Sequence, residues 1–239
     1  MINPLPKARS KIAKSLHRFL ERRARRKLAQ HHDVWTFLSS TASPSTGCSY
    51  SDYWALYSII RKRKPVEVLE LGSGISSVVI ALALLDNGRG RLTSMEEDAT
   101  YADATRTLIP ASVREMIDLR HSPSVEKRHG LFVGVGYADI PERQYDFVFV
   151  DGPHYERESS YDVDLLKIVE RSNVPVTALV DSRAGSCLIY NLFLKKKFYF
   201  DYFQNIGFLD AATKDDLCTY REVIVREHSE HAIRRTLIV

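Results

Sequence analysis

The sequence predicts an α/β fold: a doubly wound, mostly parallel sheet with an antiparallel strand at one edge, preceded by a basic N-terminal helix. Three observations carry that expectation. From residue 66 onward, short runs of β-branched and apolar residues alternate with segments of helical periodicity, the pattern of strand–helix–strand crossovers. The first of these strands runs straight into Gly72-Ser73-Gly74 and then into an apolar helix. Two aromatic or β-branched runs, 198–203 and 217–225, follow the last crossover with no good helix between them.

The chain begins with an arm. Residues 1–30 hold ten Lys or Arg residues against one acid, Glu21, or +9; the other residues hold 24 basic against 29 acidic, or −5, which hides behind a net +4. Ile12, Leu16, Phe19 or Leu20, Ala24 and Leu28 recur at helical spacing among the basic residues. Such a stripe between residues 7 and 28 suits an anionic membrane surface, and it also suits a phosphate backbone. An Arg-rich, acid-poor arm also has the composition of a transit peptide, and the bland alternative is a solvated helix packed on the main domain. A secretory signal is disfavoured, because no continuous apolar stretch follows the charges.

Residues 31–64 read as a connector rich in Ser, Thr, Pro and Gly, then a helix over 51–63 that stops before Pro65. The main domain, 65–239, follows. Strands are expected at 66–71, 91–96, 116–121, 145–150 and 176–180, and helices at 76–85, 99–108, 161–171 and 186–194.

Composition limits the alternatives. With 44% apolar and 10% aromatic residues in 239, the chain can bury a core, so disorder is not its main state. The longest apolar run, Val78 to Leu85, is far short of the roughly 18 residues a membrane span needs. Cys48, Cys187 and Cys218 are too few and too scattered for a disulfide framework, which points to a reducing compartment, the cytoplasm. Nothing in the pattern fixes an oligomeric state.

The glycine loop carries the chemistry. A strand ending in Glu70-Leu71-Gly72-Ser73-Gly74 brings a tight turn close to a nucleotide-like ligand. The dinucleotide fingerprint has a third glycine where this chain has Ser77, and Glu70 would repel a pyrophosphate. That carboxylate favours a cationic ligand such as a sulfonium. The second strand ends at Glu96-Glu97-Asp98, and Glu96 has the spacing of an acid that takes ribose hydroxyls. Asp98 has the place of a helix cap.

These residues, with Tyr145-Asp-Phe-Val-Phe-Val-Asp151-Gly152-Pro153, make residues 50–239 resemble a class I S-adenosylmethionine-dependent methyltransferase. The resemblance implies a seven-stranded Rossmann-like sheet. It implies a cofactor site of Glu70, Gly72, Ser73, Gly74, Glu96, Glu97, Ser122 and Asp151, with His121 and Ser122 beside the adenine. Many relatives have an acid at that last place. The helix over 51–63 would roof the cofactor with Tyr50, Tyr53 and Trp54.

Methyl transfer is an in-line displacement that depends mostly on positioning, and a base is needed when the acceptor is a hydroxyl. Asp151 and Asp181 end neighbouring strands, where open sheets bind ligands, and His154 follows Asp151 by three residues; these are the catalytic candidates. Asp151 and Asp181 together would suit a divalent cation such as magnesium. The arrangement is similar to catechol-type O-methyltransferases, but Ser182 stands where those carry a second acid or an amide. Tyr155, Arg157 and Arg183 are placed for an acidic or sugar-like acceptor. The expected function is O-methylation of a small-molecule, glycan or lipid-linked acceptor. The alternatives are an RNA or other nucleic-acid methyltransferase guided by the arm, and a non-catalytic, membrane-docked cofactor-binding protein. No Asn/Asp-Pro-Pro-aromatic sequence follows the fourth strand, which disfavours methylation of exocyclic base amines.

Overall fold

The computed structural model describes residues 5–41, 49–130, 132–154, 161–194, 197–201, 205–219 and 221–223, with the side chains of the first helix from residue 15 onward. Helices α1 (Leu5–Leu28), α2 (His32–Ser40) and α3 (Tyr50–Arg63) lead into strand β1 (Glu67–Leu71). Then come α4 (Ile75–Asn87), β2 (Arg91–Glu96), α5 (Ala99–Leu108) and β3 (Ile117–His121). A hairpin, β4 (Ser124–His129) and β5 (Phe132–Tyr137), precedes β6 (Phe147–Val150), α6 (Asp164–Arg171) and β7 (Val176–Asp181). Helix α7 (Ala184–Phe193), β8 (Phe198–Asp201) and β9 (Ile206–Ala212) follow.

Seven strands form one sheet in the order β3-β2-β1-β6-β7-β9-β8. The first five in that row run parallel, and β9 pairs antiparallel with both β7 and β8. The doubly wound sheet with an antiparallel addition at one edge is therefore as the sequence predicts. Alternate residues of β1 serve opposite faces: Val68 packs with α3 and α4, whereas Leu69 and Leu71 pack with α6 and α7. All of β6 and β7 is buried, which is why β6 reads as a continuous apolar run and β7 as a mostly apolar one. Caps fix the helix starts. Ser49 and Asp52 form a capping box on α3, and Asp98 accepts from the backbone N–H groups of Thr100 and Tyr101 at the start of α5, as expected.

Three expectations need correction. The stretch read as a plain connector contains α2, whose Val34, Phe37 and Leu38 enter the core. The segment between the third and fourth predicted strands forms the β4–β5 hairpin. The last strand is Ile206–Ala212 and not the run beginning at Leu217. Gly207 lies in that strand because a Cβ there would sit 2.7 Å from the Phe198 ring and 2.8 Å from Cys187 Sγ. Leu217, Cys218 and Val223 instead pack into the cluster beneath α6 and α7, with residues 221–223 helical. Residues 224 and 225 lie outside the described residues, as do Cys48, Tyr155 and Arg157. No helix among the described residues is long and apolar enough to cross a membrane.

Candidate active site

A cleft of about 550 Å³ opens over the carboxyl ends of β1, β2 and β6. The strand order reverses between β1 and β6, and ligands of open α/β sheets bind at such a point. Gly72 and Ser73 form its floor. The Gly72 N–H donates to the Met95 carbonyl (3.0 Å), and the Asp151 N–H donates to the Leu71 carbonyl (2.8 Å), so the ends of three strands are tied together. Gly72 has φ +99°, and a Cβ on it would lie 2.7 Å from the Gly152 nitrogen. Only glycine satisfies both conditions.

Glu96 forms the next wall. One carboxylate oxygen accepts from the Ser73 N–H (3.1 Å) and Ser73 Oγ (2.9 Å). The other accepts from the N–H groups of Glu97 (3.0 Å) and Asp98 (3.1 Å). A carboxylate held this way is fixed in direction, and with its acceptor sites engaged a ligand hydroxyl would share one of them or take the place of the Ser73 hydroxyl. The His154 N–H donates to Glu97 Oε1, which draws the loop after β6 over the cleft.

The structure brings together Gly72, Ser73, Glu96, Glu97, Asp151 and His154 from the sequence-predicted set. Arg183, expected to meet the acceptor, is also there, and the structure adds Asp98, Tyr101, Tyr137 and Gly152. Glu70, Gly74, Ser122 and Asp181 are not on the wall. Glu70 is fully buried below the loop, where Ser77 Oγ and Ser94 Oγ (2.5 Å) donate to its Oε2 while Oε1 has no partner. Burial pushes its carboxyl up to about 7 against the hydroxyls of Ser76, Ser77 and Ser94. Gly74 gives its N–H to Ser77 Oγ, at the start of α4. Ser122 N–H donates to the Glu96 carbonyl, and Ser122 Oγ accepts from the Asp139 N–H (3.0 Å), so the hairpin returns an acid to this neighbourhood.

The residues do not fit a divalent cation. Asp151 faces the cleft, but Asp181 is 4% exposed and accepts from Ser182 Oγ. Beside them lies the Arg183 guanidinium, whose Nη2 donates to the carbonyls of Asp151 (2.6 Å) and Pro153 (2.7 Å). That resident positive charge repels a metal ion. Among the described residues no three His, Cys, Asp or Glu side chains are grouped for metal binding. The same bonds make Arg183 a clasp on the β6 loop, where the sequence placed it as an acceptor-binding residue.

Tyr137, like Tyr101, is a site residue the sequence did not reveal. It is fully buried, its hydroxyl has no hydrogen-bond partner, and it lines the cleft against Gly152. Burial, with Glu96 and Glu97 nearby, raises its pKa well above the ordinary phenol value, so it remains a proton donor. Asp164 sets its position by accepting from the Tyr137 N–H (2.7 Å) and from Lys127 Nζ (2.6 Å).

An orphaned donor, a fixed carboxylate and a backbone floor fit a nucleoside-bearing ligand. Four carboxylates (Glu96, Glu97, Asp98 and Asp151) against one guanidinium fit a cationic one. Residues 69–178, from β1 into β7, match the family described as a methyltransferase domain. No curated protein matches the chain. A putative caffeoyl-CoA O-methyltransferase from Staphylococcus aureus shares the fold, with TM-score 0.50, 13% identity, and 76% of this chain and 94% of that chain covered. The SAH-bound Podospora anserina methyltransferase PaMTH1 gives a TM-score of 0.49 at 18% identity over 72% of this chain and 70% of its own. A cofactor-bound protein from MTB gives 0.43 at 16% identity over 65% of this chain, which spans 66% of that protein's length.

Proposed function

We propose that this chain is a class I S-adenosylmethionine-dependent methyltransferase, a reading supported by the match over residues 69–178 and by the fold, and that it methylates an oxygen atom of an uncharged small-molecule, glycan or lipid-linked acceptor. The observation that carries the reading is the convergence of Gly72–Ser73, Glu96 and Asp151 on one acidic cleft at the switch point of the sheet. Gly72, Ser73, Glu96 and Tyr137 would hold S-adenosylmethionine. Bound there, it supplies an electrophilic methyl group on a sulfonium, a charge the acidic wall favours.

The remaining work belongs to the protein. Asp151 is pinned to the end of β1 by its backbone and takes the proton of the acceptor hydroxyl on its carboxylate. His154, on the exposed rim, passes protons to solvent. A base matters for a hydroxyl and is superfluous for a neutral amine, which is why the pair supports oxygen as the acceptor atom. Four carboxylates around the mouth disfavour a polyphosphate backbone, so RNA is the weaker reading.

The test is transfer of labelled methyl from S-adenosylmethionine to extracts separated into lipid, small-molecule and RNA fractions. Label is expected in the first two, lost in Asp151→Asn and retained in chelator. Label confined to RNA would overturn the acceptor reading, and abolition by chelator would overturn the metal-free base.

A further inference from the structure

The second half of α1 divides its residues between two tasks. Leu20, Ala24 and Leu28 turn inward, and Glu21 caps α3, accepting from the N–H groups of Tyr50 (3.2 Å) and Ser51 (2.8 Å). Arg25 lies over Trp35 and Tyr50, and Lys27 over Trp54. On the other side Leu16 is 38% and Phe19 59% exposed. At three- and four-residue spacing they share a face with Arg23 and Arg26, and Arg22 flanks it; all three arginines are exposed. Residues 15–28 carry six basic side chains, and their one acid, Glu21, is turned toward α3.

The direction of the arm matters. Helix α3 runs parallel to α4: the Tyr57 hydroxyl donates to Asp86 and Arg61 to Asn87, so their C-terminal halves lie together. Helix α4 starts at the glycine loop, so the first turn of α3 points to the cleft-bearing end of the sheet. Helix α1 runs in the same direction as α3, with Glu21 at Ser51, Lys27 on Trp54 and His31 at Tyr57. Residues 5–20 therefore continue beyond α3 on the cleft side, for up to about 24 Å at the helical rise.

We infer that α1 docks on an anionic phospholipid surface, with Leu16 and Phe19 entering the headgroup boundary and Arg22, Arg23 and Arg26 among the phosphates. The cleft end of the domain then faces that surface. Charge complementarity selects this occupant: an apolar ridge between arginines matches a surface that is anionic outside and apolar within, whereas nucleic acid has no use for exposed Leu16 and Phe19. The cleft itself is acidic, so attraction to the bilayer comes from the arm.

Co-sedimentation of the full chain with vesicles of phosphatidylcholine, alone or equimolar with phosphatidylglycerol, tests this. Binding is expected only with phosphatidylglycerol and should fall as salt rises. Arg22→Glu with Arg26→Glu should weaken it at least about tenfold. Phe19→Ser should weaken it while leaving the salt dependence in place. Both variants should keep the unfolding midpoint and the affinity for S-adenosylhomocysteine, which shows them folded. No sedimentation, equal sedimentation with phosphatidylcholine alone, or retention on RNA in place of vesicles would each overturn the inference. None of these outcomes depends on the acceptor.

Discussion

Replacing Glu70 with Gln tests whether this acid supports the glycine loop as a buried group that resists ionisation. Its carboxyl is raised from 4.5 to about 7, chiefly by burial. A shift of about 2.5 units corresponds to about 3 kcal/mol. The folded state binds this proton more tightly than the unfolded chain does. The contribution of Glu70 is therefore fully favourable below about pH 4.5, declines as pH rises, and reaches its full ionisation penalty above about pH 7. Gln keeps an oxygen to accept from Ser77 and Ser94 and never ionises. Whatever fixed offset the amide introduces, the stability of Glu70→Gln relative to the parent should rise by about 3 kcal/mol between about pH 4.5 and pH 8. Urea unfolding of both proteins at a series of pH values measures it, since all other titrating groups cancel in the difference. A difference that stays flat, or moves the other way, would mean that Glu70 ionises freely in the fold, and the account of the loop support would be wrong.

Two further outcomes follow from the cleft. Gly72→Ala places a Cβ 2.7 Å from the Gly152 nitrogen at φ +99° and should destabilise the fold by about 2 kcal/mol or more. Calorimetry should show S-adenosylhomocysteine binding weakened at least about tenfold in Gly72→Ala, and parental affinity would refute the cradle. Tyr137→Phe removes an orphaned buried hydroxyl, so thermal unfolding should show an unchanged or slightly raised midpoint while ligand affinity falls about fivefold. A lowered midpoint with intact affinity would show that the hydroxyl serves the fold and not the ligand.

The sequence was most legible where burial is complete. Strands β1 and β6 lie between helix layers; β6 reads as an unbroken apolar run and β1 as a Val/Leu strand interrupted by Glu70, so the glycine loop and Asp151 that end them could be placed at once. The hairpin was not legible because one strand is mostly exposed and charged, and the other carries Gly134 and Gly136. Those glycines answer to distant partners: a Cβ at Gly136 would strike the Asp164 carboxylate, and one at Gly134 the Tyr161 carbonyl. Without the hairpin, Tyr137 had no assignable place. Strand β9 was missed for the same reason, since Gly207 reflects the crowding of Phe198 and Cys187 and not a local preference. At the end of β7 sequence order alone could not tell that Asp181 would turn inward and that Arg183, expected at the acceptor, would hold the β6 loop.

Gly72 and Gly152 meet backbone to backbone, with no side chain between the loop that would receive the cofactor and the loop that presents Asp151. The two therefore move as one joint. A displacement of either loop by a few tenths of an ångström is handed to the other undamped, because no rotamer stands between them to absorb it. Seating of the cofactor and aim of the carboxylate are then a single adjustment. On the proposed reading, catalytic alignment would be set by main-chain contact, and substitutions elsewhere on the rim would alter which acceptor enters without disturbing it.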